Sequence, residues 1–183
     1  SMLIGRTAEI NLTVNGDGEI FVATADKSVV DASKNENVIT VTGLIEGTTT
    51  LKVTMEEGTD FAGTEIEIPV TVSMGNYSVN GVHYETLDEA IAAIETKGTI
   101  IVVKDNAAIP DGLFPTGKDI TLDTNGKTIT STAVNTINNK GNLIITGIGT
   151  IKNEKENGNV IINKGELTVD NGNIITVQND WRK

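Results

Sequence analysis

A strand-like segment recurs three times in the second half of the chain, and its spacing constrains the fold more than any other feature. Residues 119–123 align with residues 142–146 and then with residues 166–170, at offsets of 23 and 24 residues. Two further short strand-like segments keep the same rhythm, so each period holds about three strands. This pattern is typical of a β-solenoid, in which one turn cannot bury its apolar face alone and neighbouring turns must stack.

The corners of this repeat carry equivalent residues. Gly141 and Gly165 occupy the same turn in successive periods, and Asn139 and Asn163 precede them by two residues. We predict that Asn139 lies over Asn163 and that their side-chain amides form a ladder that satisfies turn carbonyls. Ile120, Leu143 and Leu167 should likewise be superposed, one above the other.

One amphipathic helix is predicted before the repeat, over residues 86–97. Thr86 as N-cap and Glu89 three residues later form a capping box. An apolar stripe on one helical face and a terminating glycine complete the pattern: Leu87, Ala90, Ile91, Ile94 and Gly98. The helix is expected to cover the N-terminal end of the solenoid.

The first 74 residues have a different periodicity. Apolar and polar residues alternate over several short runs, such as residues 10–14, 38–44 and 66–72, and turn dipeptides separate the runs. Alternation of this kind predicts antiparallel strands packed as a sandwich. The fold class is therefore all-β, with a sandwich over residues 1–74 and a capped solenoid of three to four rungs over residues 75–183, a rung being one full turn of the solenoid.

Both halves resemble known families. The first resembles the bacterial immunoglobulin-like domain of group 2, through residues 16–18, 25–33, 39–43 and 46–54 and the closing strand to Val72. The second is similar to the right-handed parallel β-helix of the pectin-lyase-like superfamily, through residues 86–94, 119–130, 137–145 and 161–169. The resemblances imply an immunoglobulin-like sandwich followed by a short β-helix, as in surface proteins of Gram-positive bacteria and in phage structural proteins.

Composition excludes several functions. The chain has 14 basic and 25 acidic residues, a formal charge of −11, which disfavours nucleic-acid binding. It has no cysteine, which excludes disulfides and thiolate chemistry. No apolar run approaches the roughly 20 residues that a membrane-spanning helix needs, so no membrane insertion is expected.

No catalytic constellation is evident. The two arginines, Arg6 and Arg182, lie near the chain ends, and His83 is the one histidine. Polysaccharide lyases and hydrolases of the resembling superfamily need clustered basic or acidic groups. We therefore predict a non-enzymatic protein without a cofactor. Asp17 and Glu19 could contact calcium, although a glycine-rich turn needs no metal.

Candidate ligand contacts are the aromatic side chains Tyr77, Tyr84 and Trp181, since sugar rings stack on aromatic rings. Each also has a structural interpretation. Trp181 in particular could cap the last rung, where another subunit or a continuation of the chain would serve equally.

The expected function is that of a surface-exposed binding or display module, adhesin-like or part of a stalk, on the outside of a bacterial cell. Its partner would be a glycan or a host matrix surface, with a homo-oligomer through the solenoid end as a further option. If Met2 is the natural start, a phage virion protein, such as a capsid decoration or fibre, is the alternative. A polysaccharide lyase or hydrolase is the least favoured interpretation.

Overall fold

The computed structural model describes residues 1–109, 111–170 and 172–177. The chain divides into two compact units, Ser1–Met74 and Gly75–Lys183. In the described ranges, their regular secondary structure is β-strand apart from one short helix, as the alternating and repeating patterns predict. The one helix among the described residues has six residues, and no helix there is long and apolar enough to cross a bilayer.

The first unit contains seven strands in two sheets. The strands are β1 (Met2–Leu3), β2 (Thr7–Asn11), β3 (Ile20–Thr24), β4 (Val30–Asn35), β5 (Val38–Gly43), β6 (Gly47–Met55) and β7 (Thr64–Ser73). One sheet has the order β1-β7-β6-β3 and the other β2-β5-β4. All pairs are antiparallel except β1 with β7.

Every second residue of these strands points into a shared core. Val30, Ile39 and Val41 come from one sheet, and Leu51 and Val72 come from the other. Each buried aliphatic side chain of this kind contributes about 1.5–3 kcal/mol relative to an exposed one. The two sheets therefore form the predicted sandwich.

The second unit begins with a hairpin and a helix and continues as a solenoid. Its elements are β8 (Tyr77–Val79), β9 (Val82–Tyr84), α1 (Leu87–Ala92), β10 (Lys97–Val102), β11 (Ala107–Ala108), β12 (Gly112–Phe114), β13 (Asp119–Asp123), β14 (Thr128–Ser131), β15 (Asn135–Asn139), β16 (Asn142–Thr146), β17 (Thr150–Asn153), β18 (Asn159–Asn163), β19 (Glu166–Val169) and β20 (Ile174–Val177).

The strands of the solenoid build three parallel sheets. The first contains β10, β13, β16 and β19, the second β11, β14, β17 and β20, and the third β12, β15 and β18. The hairpin β8–β9 joins the first sheet antiparallel beside β10. About three rungs are formed, because each strand pairs with the strand one repeat later.

The predicted superposition is confirmed. Ile120 pairs with Leu143, and Leu143 with Leu167, in direct parallel register. Ile129 lies over Ile151 in the second sheet. These inward residues share one continuous aliphatic core, in which four of the five are at most 2% exposed, whereas Leu167 in the last rung is only half-buried.

The helix is shorter than predicted. It spans Leu87–Ala92, whereas the sequence indicated residues 86–97. The capping box is present, with the Glu89 N–H donating to Thr86 Oγ1 over 3.2 Å and Glu89 Oε2 accepting from the Thr86 N–H over 3.2 Å. The helix ends early because Lys97 already pairs with Asp119 as the start of β10. Lys118 Nζ donates to the carbonyl oxygen of Ile91, over 2.8 Å, and to that of Ile94, and so satisfies groups at the helix C-terminus.

Candidate binding surface

The predicted amide ladder holds one interior corner of the solenoid. Asn139 is fully buried, and its Nδ2 donates over 2.7 Å both to Asn163 Oδ1 and to the carbonyl oxygen of Glu166. Its Oδ1 accepts the Gly141 N–H over 3.2 Å. Asn163 repeats the local arrangement with Gly165. These asparagines bind the protein's own backbone and are not available to a ligand.

Glycine is required at both ladder turns because the rungs approach closely there. A Cβ added to Gly141 would lie 2.3 Å from the carbonyl oxygen of Pro115. A Cβ on Gly165 would lie 2.1 Å from the carbonyl oxygen of Gly141. Gly141 and Gly165 therefore have a structural role.

Two further corners use buried polar side chains that the sequence reasoning missed. Thr124 Oγ1 donates to the carbonyl oxygen of Thr146 over 2.7 Å and lies 2.9 Å from Asn173 Oδ1, which also accepts the Gly149 N–H. At the other corner, Asn153 Nδ2 donates to the carbonyl oxygen of Asn159 over 2.9 Å. The repeat offset does not indicate these corners, because the register places Ser131 and Val177, and no second asparagine, opposite Asn153.

The structure buries both tyrosines that the sequence offers as candidate ligand contacts. Tyr77 is fully buried, its hydroxyl donates to the carbonyl oxygen of Ala108 over 3.2 Å, and burial followed by the charge of Asp88 raises the pKa of its hydroxyl well above the ordinary value. Tyr84 is 8% exposed and belongs to the same core. The two residues belong to the β8–β9 hairpin, where they pair with each other, and the Asn80-Gly81 turn of the hairpin has positive φ at both residues. Trp181 lies outside the described residues.

The titratable groups singled out in the sequence bind the backbone. Asp17 Oδ2 accepts the N–H groups of Thr59, over 2.8 Å, and of Asp60, over 3.3 Å, and so ties two loops of the first unit together. His83 Nδ1 accepts the Gly75 N–H over 3.2 Å, and burial together with Lys104 lowers the pKa of His83. Across residues 1–109, 111–170 and 172–177, no group of three or more His, Cys, Asp or Glu side chains could hold a metal ion.

The outward side of the first solenoid sheet offers a regular array of side chains, here called the outer face. It consists of two columns that follow the pairing register: Lys97, Asp119, Asn142 and Glu166, then Thr99, Thr121, Ile144 and Thr168. Parallel strands place successive members of a column about 4.8 Å apart. In the part of the chain that the structure describes, none of these side chains makes an intramolecular hydrogen bond or ion pair.

A shallow depression of about 60 Å³ lies on this face. Lys97, Asp119, Thr121, Asn142 and Ile144 line it. It combines charged, amide, hydroxyl and aliphatic groups on a rigid sheet, because the opposite side of the same strands is packed in the core. Such a surface can hold a ligand by several weak contacts at once.

The fold and this surface define the protein as an all-β chain that joins a sandwich to a short parallel β-solenoid. Comparison with protein-family models, with curated proteins and with solved structures found no match for the chain. The two family resemblances therefore stay predictions from sequence motifs.

Proposed function

We propose that this protein is a non-catalytic binding or display module of the adhesin or stalk type, exposed outside a bacterial cell. The outer face carries the proposal, because its two columns are unpartnered and regularly spaced. In β13 and β16, outward residues alternate with buried residues, as in Ile144 beside Leu143 and Ile145. A ligand therefore meets a surface that is already ordered, and binding costs little conformational entropy.

The same proposal assigns the two halves to families. The first unit would be an immunoglobulin-like domain of bacterial group 2 that acts as a spacer. The second would be a short right-handed β-helix of the pectin-lyase-like type. The hydrogen bonds of the buried Asn139 and Asn153, and those of Asp17 and His83 to backbone N–H groups, support a structural and not a catalytic use of these polar groups.

Binding arrays test this function. The purified chain is applied to an array of glycans and host matrix proteins, and T121R is compared with T128R. Thr121 lies on the outer face, whereas Thr128 points outward from the second sheet, so both variants make the same change on different sheets. We expect T121R to lose about tenfold or more of the affinity for a captured probe, or about 1.4 kcal/mol. No bound probe, or equal loss in both variants, contradicts the proposal, and turnover of a glycan would make the protein an enzyme.

A virion structural role is the second candidate, and the last rung favours it. Ile175 is 39% exposed and Leu167 half-buried, although Ile151 and Leu143 one rung earlier are fully buried. An exposed apolar end suits assembly with another subunit or with a second copy. Light scattering over a range of concentrations tests this. Assembly through the end of the solenoid is supported if I175K abolishes the association and I148K does not. Ile148 serves as the control because it is exposed at a corner and not at that end. A monomer at every concentration contradicts a homo-oligomer.

A further inference from the structure

One strand edge of the sandwich is open. β7 pairs with β6 along its whole length, from Thr64 opposite Met55 to Val72 opposite Gly47. On its other side, β1 reaches only Val72 and Ser73. Among the described residues nothing pairs with that side of β7 from Thr64 to Thr71. An unpaired edge exposes backbone donors and acceptors that can accept another strand.

The backbone groups that face this open side can be identified. The Ile4 N–H donates to the carbonyl oxygen of Ser73 over 3.1 Å, so Ser73 directs its groups away from β6. Backbone groups alternate in direction along a strand, and the register with β6 has no interruption. Glu65 and Glu67 therefore direct their N–H and C=O groups to the open side. Pro69 adds only its carbonyl, because proline has no N–H.

An apolar cavity of about 250 Å³ opens beside this edge. Its lining is mostly aliphatic: Leu12, Val14, Ile20, Val53, Met55 and Ile66. Ile66 belongs to β7 itself and is 58% exposed, so the cavity and the strand edge are adjacent. The cavity is present because the inner side of the long strands β6 and β7 is incompletely covered near Met55 and Thr64.

The surroundings of the cavity are acidic. Residues 1–74 contain twelve acidic and four basic side chains. Seven of the acidic ones fall in the segments 17–19 and 56–67, which contain no basic residue. Glu65 and Glu67 lie on β7, and Lys52, on β6, pairs with Glu65 over 2.6 Å. A partner with positive charge is therefore attracted to this edge.

We propose that the open edge of β7 binds an extended partner segment of alternating basic and aliphatic residues, which is added as a further strand. Its backbone bonds to Glu65 and Glu67. Because side chains alternate across a strand, one set enters the cavity beside Ile66 and the other set lies next to the two carboxylates.

A second copy of this chain is a poor occupant of the same edge. Pairing β7 with β7 of another molecule would bring glutamates together with like charge, which destabilises a cross-strand pair. Pro69 removes one more ladder bond. These features disfavour self-association through this edge, but they do not prevent a basic strand from pairing with it.

Fluorescence anisotropy with a labelled nine-residue peptide of alternating lysine and valine tests the proposal. We expect saturable binding to the full chain. A control peptide with the same composition, but with all lysines in one half and all valines in the other, should bind about tenfold more weakly. It cannot place valines in the cavity and lysines next to the carboxylates along the same stretch of strand. Two N-methylated peptides, one methylated at every lysine and one at every valine, test the backbone bonds. Only one alternate set of N–H groups can face β7, so one of these peptides loses binding and the other keeps it.

Three variants locate the site. I66T and E67K are expected to weaken binding about tenfold, and E156K, an equal charge change at an exposed turn of the second unit, is expected to leave it unchanged. The amides of Glu65 and Glu67 should become protected from hydrogen exchange when the peptide is bound. Equal binding of both methylated peptides, or equal weakening by E156K, would overturn the proposal. So would unchanged exchange at these two amides.

Discussion

At the scale of single residues, Thr136 lies fully buried in the third solenoid sheet, and its hydroxyl has no hydrogen-bond partner among the described residues. A buried hydroxyl without a partner has lost its bonds to water and gained nothing in return. Val160 lies at the equivalent position one rung later, so the core accepts valine there. We expect T136V to raise the free energy of unfolding by about 1 kcal/mol in a urea titration.

Thr124 provides the matched control for this change. It is equally buried, but its hydroxyl donates to the carbonyl oxygen of Thr146. T124V should therefore lower the free energy of unfolding by about 1 kcal/mol, because it removes one of the two hydrogen bonds that this carbonyl accepts, the other coming from the Thr124 N–H. If both valine variants change stability in the same direction, hydrogen bonding does not determine the effect.

His83 should make stability depend on pH. Burial and the nearby Lys104 lower the pKa of His83, and its Nδ1 accepts the Gly75 N–H in the neutral form. The unfolded chain then binds the proton more readily, so the contribution is fully present above the unfolded pKa of about 6.5 and is lost as the pH falls below it. The difference in unfolding free energy between the native chain and H83Q should shrink from pH 8 to pH 5. A difference that is constant or grows on acidification rules this out.

At the scale of elements, the asparagine ladder joins consecutive rungs. Asn139 makes three hydrogen bonds inside the solenoid, whereas Asn163, its counterpart one rung later, is exposed. We expect N139A to lower the free energy of unfolding by about 3 kcal/mol and N163A by about 1 kcal/mol, since only the first leaves buried backbone groups unsatisfied. Denaturant titration of both variants measures the difference, and equal losses would argue against a ladder that depends on burial.

The short helix depends on a lysine from a neighbouring rung. Lys118 Nζ donates to carbonyls at the end of α1, where a positive charge also interacts favourably with the helix dipole. K118M should raise the rate of hydrogen exchange of the α1 amides by about tenfold, or about 1.4 kcal/mol of local stability. K140M, in the exposed connection between β15 and β16, is the control. Unchanged exchange in K118M would show that the helix end does not need this lysine.

Elements were predictable where the repeat offset or a local motif identified them. The strands β13, β16 and β19 follow from the offsets of 23 and 24 residues, and Thr86 with Glu89 indicates the start of α1. The end of α1 could not be predicted, because Lys97 and Lys118 determine it through contacts with other rungs. The two short strands β11 and β12 were missed, since two or three residues are too few for a periodicity.

At the scale of the whole molecule, the sequence indicates two units of different architecture, but not which surfaces are free. Tyr77 and Tyr84 are candidate ligand contacts by residue type, because sugar rings stack on aromatic rings. Both side chains, however, pack into the core of the second unit. Conversely, neither the unpaired edge at Glu65 and Glu67 nor the outer face could be recognised without the pairing register. Burial and free edges depend on neighbours distant in sequence, which local patterns do not specify.

Stacked rungs bury one face of the solenoid strands in a shared core and leave the other face outward, where the proposed binding surface lies. Threonine placed at two neighbouring positions of β16 tests this arrangement most directly. Leu143 is fully buried between Ile120 and Leu167, whereas Ile144 lies between Thr121 and Thr168 on the outer face. We predict that L143T lowers the free energy of unfolding of the solenoid by about 4 kcal/mol and I144T by less than about 0.5 kcal/mol, as measured by native-state hydrogen exchange. Comparable losses in the two variants, or a larger loss in I144T, would contradict the account.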